Sequence, residues 1–362
     1  MRVMCMYLPQ YHSFPENDEW WGKDYTEWVA VKKARPLFKG HDQPKIPLGG
    51  DYYDLDQDGA KTLARQASLA KKYGVYGFSI YRYYFNGRSL MDKPLRTLLD
   101  HPEIDINYNI CWANESWTRT WYGLSDQILI AQEYGQRDDW RRFFDDLLPF
   151  FRDGRYIKID NRPVLQIYKT FDIPCFEEMA AAFNEWAVEY GFKGVYIISG
   201  KTAAGSDDRG RLIDGYYYFE PGYSLKYDLG FAGSLIYNMT TLLRSIRNRL
   251  FGAGSGYILE RRVDARRIMK AIRNRDYKEN EFPGVIPDWD NTPRRGYKGL
   301  MYDNTSPKML EETLLILKEK LASHPVDFVY VNAWNEWGEG AYVEPDESRG
   351  YAYLEAIHRA VQ

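Results

Sequence analysis

Residues 328–340 read Phe-Val-Tyr-Val-Asn-Ala-Trp-Asn-Glu-Trp-Gly-Glu-Gly, and this run decides the fold. Its first half, 328–333, is a short β-rich stretch of the kind that forms a buried strand. Its second half places Glu336 and Glu339 three residues apart, just past the end of that strand, with Gly338 and Gly340 free to let the backbone turn tightly. Two carboxylates so placed can project into one cleft. Glycosidic cleavage needs one protonated carboxyl group to supply a proton to the leaving oxygen and a second, ionised one to act at or near the anomeric carbon. Crowding the two raises the pKa of one, so that their roles separate at neutral pH.

Working back from that strand, seven more β-rich runs alternate with helical stretches: 3–7, 75–81, 106–112, 164–168, 195–199, 215–219 and 284–288. Helices are expected over 60–72, 138–150, 176–190, 307–321 and 351–361, with Gly74, Gly154 and Gly191 where helices should stop. Strand–helix alternation with eight strands predicts a closed (β/α)8 TIM barrel, α/β in class, over 1–362 as one catalytic domain with long βα-loop insertions. Two stretches exceed a minimal barrel. Residues 8–58, rich in Trp, Pro and Gly, read as a long ordered loop after the first strand. Residues 222–282 form a helical, basic insertion carrying Arg244, Arg247, Arg249, Arg261, Arg262, Arg266 and Arg267. A solvated helical face accounts for it, and a contact surface for an acidic polymer or a partner subunit is the alternative.

In a parallel barrel the loops after the strands share the face that holds the active site. Those loops carry Tyr11 and His12 after the first strand, Tyr81 and Tyr83 at the second, and Trp112, Asn114, Glu115 and Trp117 at the third. Tyr168 ends the fourth, Glu220 follows the sixth, Trp289 and Asp290 the seventh, and Trp334, Asn335 and Trp337 the eighth. These fifteen are the candidate substrate-binding residues, with Glu336 and Glu339 catalytic. The chain has 31 Tyr and 11 Trp, bringing aromatics to 16%. Tyr and Trp pair a flat apolar face with a polar edge, which suits stacking on sugar rings. Their concentration at strand ends makes the excess read as mostly functional.

Other chemistries are excluded or weak. A net charge of -3 predicts no general affinity for nucleic acid or anionic membrane. Cys5, Cys111 and Cys175 lie far apart, which favours neither a disulfide framework nor a zinc site. No metal and no cofactor is expected. Asp54-Leu55-Asp56-Gln57-Asp58-Gly59 begins like an EF-hand loop, but its twelfth position is Arg65, so a helix start capped by aspartates is the better reading. Asp288-Trp289-Asp290 could be the Asp-x-Asp of a sugar-nucleotide transferase, yet no glycine-rich nucleotide-binding turn accompanies it. No apolar run is long enough to span a bilayer. The N-terminus does not read as a signal peptide, so the expected compartment is the cytoplasm, or the periplasm or exterior if a leader has been removed.

The segment 335–340, followed by Val343-Glu344-Pro345, resembles the strand-eight signature of the endo-α-mannosidase family of glycoside hydrolases, Asn-Glu-Trp-His-Glu-Gly and then Ile-Glu-Pro. The rest of the chain is similar to the WbsX-like family of bacterial polysaccharide gene clusters. The shared marks are Tyr7-Leu8-Pro9-Gln10-Tyr11-His12, Asp24-Tyr25-Thr26-Glu27-Trp28, Gly40-His41-Asp42-Gln43-Pro44, Trp112-Ala113-Asn114-Glu115 and Asp290-Asn291-Thr292-Pro293-Arg294. The resemblance implies that Glu339 is the general acid/base. It gives Glu336 the task of assisting the sugar's own 2-hydroxyl, which forms a 1,2-anhydro intermediate with net retention. Gly338 stands where that family has histidine, so one hydrogen bond or sugar contact is missing. The expected activity is hydrolysis of a bacterial surface polysaccharide or related glycan. The alternatives are a glycosyltransferase or transglycosylase of O-antigen or capsular polysaccharide biosynthesis, and a catalytically silent binding barrel.

Overall fold

The computed structural model describes residues 1–118, 128–207, 209–252 and 257–362. Its centre is a parallel sheet in which Arg2–Tyr7, Val75–Phe85, Asn107–Trp112, Arg162–Ile167, Tyr196–Lys201 and Gly215–Tyr218 pair in succession. On its other edge Arg2–Tyr7 pairs with Phe328–Val331, with Cys5 in register with Val331. The seventh strand closes the ring in two pieces. Glu281–Phe282 pairs with the sixth strand, and Gly284–Val285 with the eighth. Pro283 stands between them, where the chain changes partner; it has no N–H to give either ladder.

The strands hold because nearly every side chain on them is buried, Val3 to Tyr7 and Phe328 to Val331 among them. Such strands sit between a barrel interior and a surrounding layer of helices. Part of the interior is polar but satisfied: Ser79 Oγ donates to Gln166 Oε1 at 2.6 Å and Asn109 Nδ2 to Ser79 Oγ at 3.2 Å. Helices Gly59–Lys72, Arg137–Arg152, Phe176–Glu189, Pro307–Lys320 and Ala352–Val361 match the expected ones to within two residues at their ends. Local chemistry starts them. Ser306 accepts from Met309 N ahead of Pro307, and Gln136 and Asp139 form a capping box.

Three expectations are corrected. Residues 8–58 are not all loop, since Pro15–Trp21 and Glu27–Lys33 are helices. Asp58 stands at the N-cap of Gly59–Lys72 but its side chain makes no capping bond; Asp54 instead accepts from Asp56 N at 2.7 Å. The aromatic excess is mainly internal. Tyr108, Phe143, Phe144, Phe151, Tyr156 and Phe183 pack between sheet and helices through a chain of edge and stacked contacts.

The basic insertion contains Gly222–Tyr227, Gly230–Phe251 and Ala265–Asn274. The last buries Ala265, Ile268, Met269 and Ile272, one helical face, at about 1.5–3 kcal/mol for each large side chain. Its arginines are largely answered locally: Arg266 by Asp264 and Arg262 by Asp303.

Candidate active site

Beyond Val331 the chain passes through a cis Asn332–Ala333 peptide to Asn335–Glu336, which pairs antiparallel with Ala341–Tyr342. Between them Trp337–Glu339 forms a single tight turn closed by Gly340 at φ 64°. A Cβ on Gly340 would sit 2.9 Å from Asp290 N, whose N–H donates to Glu339 O. Glycine is therefore required there for both conformation and approach.

The turn aims Glu336 and Glu339 into a cleft of about 800 Å³, open to solvent, at the carboxyl end of the barrel. Glu336 is the deeper, with 10% of its side chain exposed against 24% for Glu339. Both are held by Arg294. Its Nη1 donates to Glu339 Oε1 at 2.9 Å and its Nη2 to Glu336 Oε2 at 3.0 Å. Its Nε donates to Oε2 of Glu27 at 3.0 Å, a third carboxylate with no exposed side-chain surface. The charge balance is three carboxylates to one guanidinium. Burial pushes Glu336 up to about 8; Arg294 opposes this, and the charges of Glu339 and Glu27 add to it. Burial also raises Glu339, with Glu27 adding and Arg294 and Arg295 opposing. The two titrate as a pair, and the pair keeps a proton at neutral pH.

Of the fifteen candidate binding residues, Tyr81, Tyr83, Glu115, Tyr168 and Trp289 line this cleft, together with Gln10, Phe219 and Arg295, which the sequence reading did not select. The buried indole N–H of Trp289 has no acceptor among the described residues. Asn114 joins Glu115 and Lys169 around an adjoining polar depression.

The other nine lie behind the cleft wall. Trp334 and Trp337 were expected as stacking platforms and are core instead. Their indole nitrogens donate to the two oxygens of buried Glu344, at 3.0 and 2.8 Å, and Trp337 stacks on Tyr342 with centroids 3.7 Å apart. Gln66 and Tyr53 complete the shell of Glu344, at 2.7 and 3.0 Å. Asn335 braces the first strand through Leu8 N and Leu8 O. The Tyr11 hydroxyl bonds to Asn335 O beneath the turn. His12 is buried against Pro9 O, Trp112 donates to Tyr84 O, and Trp117 packs among Trp20, Tyr83 and Phe85. Glu220 belongs to a separate buried network, accepting from Ser224 N at 3.0 Å and Arg275 Nη2 at 3.1 Å.

Asp290 accepts from Gln43 Nε2 at 2.7 Å and lies 2.8 Å from His41 Nε2. Burial raises its pKa, but bonds from His41, Gln43 and Thr292 outweigh that and hold it below the ordinary value. Asp288 pairs with Arg349 at 3.0 Å. Both carboxylates of the Asp-x-Asp triplet are thus committed to protein partners.

Glu27 and Arg294 were quoted as sequence marks without a role. Gly338 was the signal for them. A Cβ at Gly338 would lie 2.1 Å from Glu27 Oε2 and 2.7 Å from Arg294 Nε. The space where the mannosidase pattern has a histidine side chain is occupied by this ion pair.

Comparison with known proteins agrees with this geometry. The family model described as Glycosyltransferase WbsX matches residues 3–357. Two curated proteins from strains of Xanthomonas campestris pv. campestris, each described as uncharacterized protein WxcX, are 34% identical over 366 residues. The alignment takes in 99% of this chain and 49% of theirs, so the chain spans about half the length of these relatives. Among solved structures, the GH99 endo-alpha-mannosidase from Bacteroides thetaiotaomicron superposes with a TM-score of 0.56 at 13% identity, covering 99% of this chain and 96% of that one. A structure described as a glycoside hydrolase-like protein gives 0.55 at 14%, covering 99% and 93%. At such identity the likeness shows the shared barrel fold.

Proposed function

The chain belongs to the WbsX family, and from that premise we propose that it is a carbohydrate-active enzyme, a retaining glycoside hydrolase for a bacterial surface polysaccharide or related glycan. One observation carries this reading: Glu336 and Glu339 share one guanidinium in an open cleft and retain a proton near neutrality. One protonated and one ionised carboxyl group is the state that acid–base glycosidic cleavage requires. Tyr81, Tyr83, Tyr168 and Trp289 supply faces and polar edges for sugar rings around it.

The proposed steps follow the resemblance. Glu339 gives its proton to the glycosidic oxygen as the C1–O bond breaks. The sugar's 2-hydroxyl oxygen attacks C1 while Glu336 takes its proton, which makes a 1,2-anhydro sugar. Water then attacks C1, Glu339 receives its proton, and Glu336 returns the first proton to O2. In the empty cleft, burial favours the proton on Glu336, the reverse of this assignment. A 2-hydroxyl that donates to Glu336 stabilises its ionised form, so substrate itself drives the proton to Glu339.

A second reading, transfer of the glycosyl group to a sugar acceptor, is favoured by the description of the family model. It uses the same intermediate with an acceptor hydroxyl in place of water.

The experiment is leaving-group dependence. Glu339→Gln should lose about 10²–10⁴-fold on the natural polymer and far less on an activated aryl glycoside, which departs without a proton. Glu336→Gln should impair both alike, and a 2-deoxy substrate should fail with the unaltered enzyme. Ready turnover of the 2-deoxy sugar would replace the anhydro route with direct attack by a carboxylate. Loss of both activities to the same degree in both variants would remove the division of labour.

A further inference from the structure

The long insertion helix Gly230–Phe251 has an apolar stripe facing solvent, not the barrel. Nine large apolar side chains on it are exposed: Phe231, Leu235, Ile236, Met239, Leu242, Leu243, Ile246, Leu250 and Phe251, from 45% for Ile246 to 88% for Phe231. At 100° per residue, the first eight fall within an arc of about 140° along a helix about 33 Å long. The opposite side is anchored: Tyr237 is half-buried, and Asn248 bonds Ile258 N at 2.9 Å and Ile258 O at 2.7 Å. Propensity does not explain the stripe, because a surface helix ordinarily turns such a face inward.

The charges identify what covers it. All 22 residues of the helix contain no Asp or Glu, while Arg244, Arg247 and Arg249 crowd its C-terminal half. Arg249 and Arg247 are exposed and fall at the two edges of the apolar arc, while Arg244 lies on the barrel side and reaches Glu260 O. A second copy of the helix offers no carboxylate to answer these arginines in either orientation. A lipid surface with anionic headgroups answers both features, acyl chains meeting the stripe and phosphates the flanking cations. No described helix is long and apolar enough to cross a membrane, so the geometry is that of lying in the interface.

We propose that Gly230–Phe251 docks this protein on a membrane surface containing anionic lipid. The anchoring fixes which side of the barrel then faces the bilayer. Arg261–Asp264, just past the helix, pairs in parallel with Leu300–Asp303, and Tyr302 N donates to Trp289 O in the cleft wall. The helix is thus tied to the same loop that carries Trp289 and Arg294. The net charge of -3 does not oppose this, because attraction at a surface acts over about a Debye length and reads the local patch. The inference stands apart from the reading of the cleft.

The test is flotation of the whole chain with vesicles of phosphatidylcholine and of an equal mixture of phosphatidylcholine and phosphatidylglycerol. The protein should float with the mixed vesicles, less with the neutral ones, and less again as salt rises. Replacing Arg247 and Arg249 by Gln should lower the partition coefficient about fivefold each. Leu242→Asn with Ile246→Asn should abolish flotation; these side chains already face solvent, so an unchanged circular dichroism spectrum and melting curve show that the fold is kept. A chain that stays unbound to both vesicles overturns the proposal. If it also sediments as a dimer that Leu242→Asn dissociates, the stripe is an interface between copies. Flotation that survives the double Asn variant would overturn it equally.

Discussion

Replacing Glu336 by Gln should make the protein more stable, and increasingly so as pH rises. Burial holds this carboxyl at about 8 in the folded chain against an ordinary 4.5. The folded state therefore keeps a proton that the unfolded chain releases. The sign follows: unfolding gains nothing from this group below about pH 4.5, and the folded state loses ground steadily between there and about pH 8. At pH 7 the interval is about 2.5 pH units, and at about 1.4 kcal/mol per unit the burden is about 3 kcal/mol. Glutamine keeps the shape and sheds the titration. Urea unfolding of both proteins at about pH 5, 7 and 8.5 should show a stability difference that is smallest at the lowest pH and widens by about 1 kcal/mol per unit until it levels. The reasoning is refuted if the variant is less stable by the same margin at every pH, for then Glu336 is an ordinary ionised partner of Arg294.

Gly338→Ala should cut kcat at least tenfold with little loss of melting temperature, because the new methyl must displace the Glu27–Arg294 pair that orients both glutamates; full activity in this variant would mean that the pair does not hold them in place. Trp337→Ala should cost about 3–5 kcal/mol in denaturant unfolding, as removal of a buried aromatic does. It should leave KM unchanged in whatever fraction folds, whereas a raised KM with unchanged stability would return this indole to the cleft.

The barrel was legible because buried parallel strands are written as short apolar runs, and strand eight was the clearest of them. Glu336 and Glu339 could be read from the same run, since a carboxylate pair just past a buried strand has one face to reach. Trp337 could not. Its neighbours in sequence place it in the turn but leave open which way it points. That is decided by Glu344, seven residues on, whose other oxygen contacts come from Tyr53 and Gln66 in distant segments. Helices Pro15–Trp21 and Glu27–Lys33 were read as loop because seven residues give barely two turns, too few for a 3.6-residue period to show. Arg294 meets Glu27 across 267 residues, a separation that no local pattern encodes. Only the glycine between the two glutamates hinted that something bulky stood there.

The order of the strands explains why the machinery gathers on one side of the cleft. Strand one pairs with strand eight, and strand eight with the second piece of strand seven. Glu27 follows strand one, Glu336 and Glu339 follow strand eight, and Arg294 follows strand seven, so three adjacent loops bring all four charges together. Tyr81, Tyr83, Glu115 and Tyr168 come from strands two, three and four across the opening. Charge that must be held at some cost is thus confined to one sector, where the buried Glu344 and its donors stiffen the floor from below. The facing sector carries the largely uncharged aromatic faces that a sugar chain can slide along. In this arrangement the aromatic sector could change to suit another glycan without disturbing the proton-holding pair. A changed residue on the charged sector would reach Arg294, and through it both glutamates at once.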